Sequence, residues 1–417
     1  MKKLTASLTA LLLLLSLAFN LTGCAFHVKA ESLMEGITPN HVSASENLVS
    51  GNSAATDFAV RLFRATSEDG KNTLISPLSV MCALAMAANG AEGRTLEQME
   101  AVLGMSKADL NLYLYTYVNS LPQGDKYKLS IANSVWFTDD TRFTVNRDFL
   151  QTNGDYYGAD IYKTPFNRQA LWDINNWVKD KTDGMIPKII DKIPEEAIMY
   201  LINALAFEAE WPSPYERNQV RDGKFTKEDG AKQDAELMYD TVGTYLEDEL
   251  ATGFIKQYKG GKYAFAALLP KEGVSVSEYV NSLDGEHLNK LLTEAEYRTV
   301  KTAIPKFENE YDVEMSNVLK SLGMTDAFEI ESADFDGMGT WSDGSIYIGK
   351  IIHKTYIQVG ERGTKAGAVT AIEVDGAMSA DPTEIKQVYL DRPFVYMLID
   401  CENSVPFFIG TVMDVKS

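Results

Sequence analysis

Cysteine, histidine and basic residues are the scarce materials of this chain of 417 residues, and each shortage removes a class of function. Three cysteines, Cys24, Cys82 and Cys401, cannot build the disulfide framework that staples small secreted domains. Cys82 falls in an apolar helical run and Cys401 ends an apolar strand, so both read as packed thiols; a Cys82 to Cys401 bridge stays open. Only four histidines are present. His27 and His41 lie in an aperiodic N-terminal stretch, and His287 lies in a polar helical stretch that suits a solvated side chain. His353 sits mid-strand among apolar residues, where a hydrogen-bonded core imidazole is expected ahead of a general base. No Gly-x-Ser-x-Gly elbow, His-Glu-x-x-His pair or phosphate-cradling loop occurs. No metal-ligand cluster stands out, and the expected cofactor and metal sets are both none. Lys and Arg number 39 against 59 Asp and Glu, for a net charge of −20. Such a surface repels phosphate backbones and anionic headgroups, which argues against nucleic acid and favours encounters with basic proteins.

What is present begins with a targeting segment. Lys2 and Lys3 precede the largely apolar run Leu4 to Leu21, and small residues follow. The run Leu21-Thr22-Gly23-Cys24 resembles the lipobox of bacterial lipoproteins, in which the chain is cut before the cysteine and its thiol is acylated. An ordinary signal peptide with a chance cysteine is the competing reading. Residues 1–23 carry no charge besides Lys2 and Lys3, so cleavage takes the net charge from −20 to −22. Residues 24–53 mix Ser, Asn, Glu and Gly without a period and are expected to be a flexible tether on the lipidated Cys24, spanning about 30 Å. The one membrane contact expected is through that anchor, on the extracellular side.

A globular part is expected over residues 54–417. With 45% hydrophobic residues the chain can bury a large core. Ser76-Pro77 reads as a helix start ahead of the apolar run Leu78 to Ala88, and Thr95 with Gln98 has capping-box spacing for a helix ending near Leu103. Further helices are expected over Lys107 to Leu121, Asn146 to Tyr157, Val274 to Leu292, and Val313 to Leu322 stopped by Gly323. Leu129 to Phe137 alternates as a strand, Met199 to Glu208 suits a strand buried on both faces, and Phe225 to Leu269 reads as successive strands. Ala170, Ile174, Trp177 and Val178 form the apolar stripe of an amphipathic helix. The balance points to mixed α+β layers around one core.

One connection stands apart. Ile351 to Val359 and Val388 to Asp400 are β-branched, aromatic-rich strand candidates, and the long segment between them exceeds the usual connection of about 4–6 residues. Laid out as a strand, Thr364, Ala366, Ala368 and Thr370 share one face, and every one is small. Such a face suits a loop that enters an existing sheet; a small surface loop is the plainer reading.

At this point the residue order resembles the serpins, the serine protease inhibitor family. Glu361 to Thr370 (ERGTKAGAVT) is similar to the family's hinge, Val388 to Leu398 (VYLDRPFVYML) to its signature around Pro393-Phe394, and Ile131 to Phe137 and Leu322 to Phe328 to other family text. The resemblance covers nearly all of residues 54–417. It implies a large central mixed sheet A with further sheets, about nine helices, Gln169 to Thr182 as the helix over the sheet, and an exposed reactive-centre loop near 361–387. It also implies a shutter of Ser76, Ser79, Asn203 and His353 closing the centre of the sheet, Trp211 at its top or breach, and a hinge comprising Glu361, Gly363, Thr364, Ala366, Ala368 and Thr370.

The activity implied is that of a suicide substrate, not an enzyme. A protease acylates itself on the loop, the cut hinge inserts into sheet A, and the protease is trapped in a 1:1 covalent complex with a monomeric inhibitor. Family spacing places the reactive bond at Ala377-Met378, with Met378-Ser379 as competitor because the segment to Arg392 is long. Neither offers a basic or aromatic residue, which suits the shallow pocket of elastase-like or subtilisin-like proteases. Arg362, Lys365 and Val369 depart from the family pattern, from which an altered rate is expected. A non-inhibitory serpin serving as a binding or scaffold protein, and a cross-class inhibitor of papain-like cysteine proteases, are the alternatives. Lys107 to Leu121 holds a single basic residue, which argues against activation by a sulfated polysaccharide.

Overall fold

The computed structural model describes residues 28–193, 198–342, 345–364 and 385–416. Its centre is a mixed sheet of seven strands, labelled here in chain order: β1 (Glu31–Ser32), β2 (Tyr127–Thr138), β3 (Asp160–Thr164), β4 (Met199–Glu210), β5 (Phe307–Glu314), β6 (Ile352–Gly360) and β7 (Gly363–Thr364). Across the sheet they run β1-β3-β2-β4-β7-β6-β5. The β2 and β3 strands are parallel, with Ser134 beside Asp160 and Thr138 beside Thr164, and the remaining pairs are antiparallel. A second sheet of nine strands has Lys386–Tyr389 at one end and Thr73–Ile75 at the other, with Phe394–Asp400 and Pro406–Val412 adjacent inside it.

The described residues contain nine α-helices: α1 (Val49–Thr66), α2 (Pro77–Ala88), α3 (Gly93–Leu103), α4 (Lys107–Ser120), α5 (Arg147–Tyr157), α6 (Arg168–Lys181), α7 (Val276–Ser282), α8 (Gly285–Thr293) and α9 (Ser316–Ser321). The cap on α2 forms as its residues dictate: Ser76 accepts from the Ser79 backbone N–H at 3.3 Å, and Pro77 starts the first turn. Every α2 residue is buried, as its all-round apolar sequence requires, and with α1 it joins the main core between the two sheets. Helix α6 lies over the outer face of the large sheet, where Ile174, Trp177 and Val178 pack on Trp136, Tyr200 and Ile202. No described helix is long and apolar enough to cross a membrane. Cys82 and Cys401 are free, so the bridge left open by counting is not made.

Four expectations are corrected. Residues 28–53 are not flexible coil: α1 starts at Val49, ahead of the expected boundary at Ala54, and residues 28–48 form a strap on the body. Along that strap Lys29 N–H donates to Asp173 (3.2 Å), Leu33 N–H to the Ile161 carbonyl (2.8 Å), Asn40 N–H to Asp155 (2.7 Å) and Ser45 N–H to Thr116 (2.9 Å). Helix α9 covers only Ser316–Ser321, because Val313 and Glu314 end β5, where they pair with His353 and Ile352. Thr95 and Gln98 make no capping box; they accept from the backbone of Asp334 and of Thr325 and Asp326. Finally, Val388 to Asp400 is two strands, split where Pro393 cannot donate to a ladder.

Candidate functional site

The hinge turns out of β6 at Gly360 and re-enters the sheet as β7. Thr364 pairs with Val359 on one side and Ala209 on the other, so one rung of a strand lies between β6 and β4 at the top of the sheet. Gly363 has φ +148, and a Cβ there would collide with the Ala209 carbonyl oxygen, so the tight re-entry requires glycine. Thr364 is 1% exposed, and its hydroxyl hydrogen-bonds Tyr258 on the inner face. Below this rung no ladder joins β4 to β6 among the described residues.

Trp211 holds the turn from beneath. Its indole N–H donates to the Gly360 carbonyl at 2.9 Å and its backbone N–H to that of Arg362 at 2.8 Å, while Tyr215 N–H donates to the Glu361 carbonyl at 2.9 Å. The indole stacks on Tyr258 with ring centroids 4.4 Å apart. On the outer side Lys306 bonds Glu361 and also Glu236, the latter at 3.0 Å. Burial works against the charges of both Lys306 and Glu361. The hydrogen bond that Lys306 donates to Glu361, with the one it donates to Glu236, still raises the lysine pKa, and the first of them lowers that of Glu361.

The centre of the sheet is closed by a chain of polar contacts that starts at His353. Its Nε2 accepts from the Ser76 backbone N–H at 3.0 Å, so the proton of the neutral ring is on Nδ1. Burial pushes this imidazole pKa down to about 4. Ser76 caps Ser79, the Ser79 hydroxyl donates to Asn203, and Asn203 donates to Asn133, whose amide reaches the Tyr157 carbonyl at 3.3 Å. Carrying the register of Thr364 six places down from Ala209 and Val359 brings Asn203 and His353 onto one rung, the rung a descending strand would occupy with Thr370. Being an even number of residues from Thr364, that position faces inward, onto α2.

Of the residues singled out in the sequence, Ser76, Ser79, Asn203 and His353 therefore meet at one place, and Trp211, Glu361, Gly363 and Thr364 at another. Ala366, Ala368, Thr370, the bonds at Ala377-Met378 and Met378-Ser379, and Cys24 lie outside the described residues. Asn133, Tyr258 and Lys256 were missed. Lys256 is buried, sits 5.2 Å from the Trp211 ring and 4.9 Å from that of Tyr215, and pairs with Asp240. A lysine directly after Phe254 and Ile255 in a strand was the available signal. Among the described residues no group of acidic, His or Cys side chains is arranged to hold a metal.

The profile of one family, described as Serpin (serine protease inhibitor), matches residues 53–415. The fold is similar to the crystal structure of a thermophilic serpin, tengpin, in its native state, at TM-score 0.88 and 46% identity over 93% of this chain and 100% of that one. Against tengpin in the latent state the TM-score is 0.79 at 45% identity, over 91% and 100% of the two chains. An uncharacterized serpin-like protein of Thermococcus kodakarensis is 27% identical over 87% of this chain and 85% of its own.

Proposed function

This chain belongs to the serpin family, and from that premise we propose that it is a suicide-substrate inhibitor of elastase-like or subtilisin-like serine proteases, carried on the outer face of a bacterial membrane by lipid on Cys24. The observation that carries the reading is the rung at Thr364, which starts a strand between β4 and β6 where no ladder joins those two strands below it among the described residues. In this mechanism the protease serine attacks the Ala377 carbonyl, the bond to Met378 breaks, and the new amino group leaves with a proton supplied by the protease histidine. The freed segment from Thr364 to Ala377 then descends between β4 and β6 while its C-terminal carbonyl stays esterified to the protease.

Small inward-facing residues let that descent proceed. Ala366 and Ala368 pass through a packed interior in which larger side chains would overfill the core, and Thr370 arrives at Asn203 and His353, where a hydroxyl finds partners. Each new ladder bond contributes about 1 kcal/mol net, and a full strand of them rivals the ~5–15 kcal/mol stability of an ordinary domain. The uncut form is accordingly held by a kinetic barrier. Dragging a protease over the length of the sheet distorts its site, and a displacement of about 1 Å can cost on the order of 10²-fold in rate, so the ester survives.

The purified domain is mixed with elastase, subtilisin and papain and run on denaturing gels. A complex with the first two that survives detergent is expected, and the mass of the released C-terminal peptide fixes the scissile bond. Clean cleavage without a complex identifies a non-inhibitory binding protein, and a complex with papain alone identifies the cross-class reading. Nicking the loop should also raise the melting temperature sharply; an unchanged melt removes the insertion step.

A further inference from the structure

The strap fixes the point at which the chain leaves the body for its anchor, and strand register locates that point. Glu31 lies opposite Lys163, Lys163 beside Phe137, and Phe137 opposite Met199, at the end of β4 remote from the hinge. Ala209, the partner of Thr364, is ten residues up β4 from Met199 (199 to 209), which at ~3.4 Å per residue is about 34 Å. Since Ser32 faces Tyr162 and Glu31 faces Lys163, residues 30, 29 and 28 continue past the sheet toward the pole at Thr138 and Met199. Val28 and Ala30 pack there against the cluster of Trp136, Ile174 and Trp177, and Asp173 takes the Lys29 N–H.

The insertion path ends at the same pole. If the pairing of Thr364 with Ala209 were continued after cleavage, position 374 would meet Met199 and Ala377 would fall beyond the sheet. Cys24 is four residues from Val28, a reach of at most about 14 Å in any conformation. A protease of ordinary size, with a radius of gyration of about 17 Å, is roughly 44 Å across. It does not fit into that gap.

We propose that the lipid anchor and the captured protease share one pole, so that on a membrane the hinge points away from the bilayer and capture is completed only when residues 28–48 peel from the body. The bonds to be released are those of Lys29, Leu33, Asn40 and Ser45, together with those from Arg147 to the Gly36 carbonyl (3.0 Å) and from Gln151 to that of Thr38 (2.9 Å). Once released, the chain from Cys24 to Val49 spans up to about 85 Å, enough to clear the protease. The inference rests on the readings of Cys24 as lipidated and of the loop as inserted.

The test uses purified protein beginning at Cys24, coupled through that thiol to a maleimide phospholipid in phosphatidylcholine vesicles. Burial pushes the other two thiols, Cys82 and Cys401, up to about 12, which directs the coupling to Cys24. The readout is the number of inhibitor molecules consumed per elastase trapped, free and tethered. A several-fold higher consumption is expected for the tethered form, returning to the free value when a flexible Gly/Ser spacer of some twenty residues is inserted between Cys24 and Val28, outside the fold. Equal consumption by tethered protein with and without the spacer overturns the shared pole. A free protein that traps nothing overturns the inhibitory reading instead, and cells that incorporate no labelled palmitate at Cys24 overturn the anchor.

Discussion

Lys256 shows how single side chains hold the entrance of the sheet. Its ammonium is caged by Trp211 and Tyr215 and tied to Asp240, so it fixes the indole whose N–H holds the Gly360 carbonyl, while the Trp211 backbone N–H holds that of Arg362. Lys256→Met removes the cation from both rings and breaks the pair with Asp240, which is expected to lower the stability of the uncut form by about 1–3 kcal/mol; a melting curve of the intact protein checks it. His353 gives a pH signature. Its folded pKa is depressed to about 4 from an ordinary 6.5, so the unfolded chain binds more protons between those values and stability falls as pH drops from about 6.5 toward 4. The depression amounts to about 3 kcal/mol of stability lost on full acidification. Urea melts across this range should show the loss, and His353→Gln should flatten it.

At the scale of elements, α2 and the strap mark where sequence reading succeeded and failed. Because Thr364 is already inside the sheet, Thr364→Arg would place an unpaired charge against Tyr258 and oppose the first rung. The variant is expected to be cut by elastase without forming a detergent-stable complex, and a retained complex would speak against insertion. Helix α2 was legible because Ser76-Pro77 is a local signal. The strap was not, since its bonds join aperiodic residues to Asp155, Thr116 and Asp173, all distant in sequence. The strand ending at Glu314 was mistaken for part of the helix stopped by Gly323, because the pairing of Val313 and Glu314 with β6 is invisible locally. Likewise Asn133 joins the central cluster only because β2 lies beside β4, and no pattern in β2 announces it.

For the whole molecule the charge decides how partners approach. A net −20 favours encounters with basic partners through a long-range field that salt screens within about 8 Å at physiological ionic strength. Association rates with a basic protease are expected to fall severalfold between about 50 and 500 mM salt, with little change in the fraction trapped once engaged; stopped-flow measurements with a fluorescent protease separate the two.

With Thr364 seated between Val359 and Ala209, insertion in the proposed mechanism would start as elongation of a ladder whose top tooth is already engaged. The slow step would then lie away from the hinge, at the level of Asn203 and His353 and their bonds to Ser79 and Ser76, where Thr370 would enter. Whether a bitten loop becomes a snare or a meal is in that case a race between hydrolysis of the ester and the unfastening of a clasp six residues farther down.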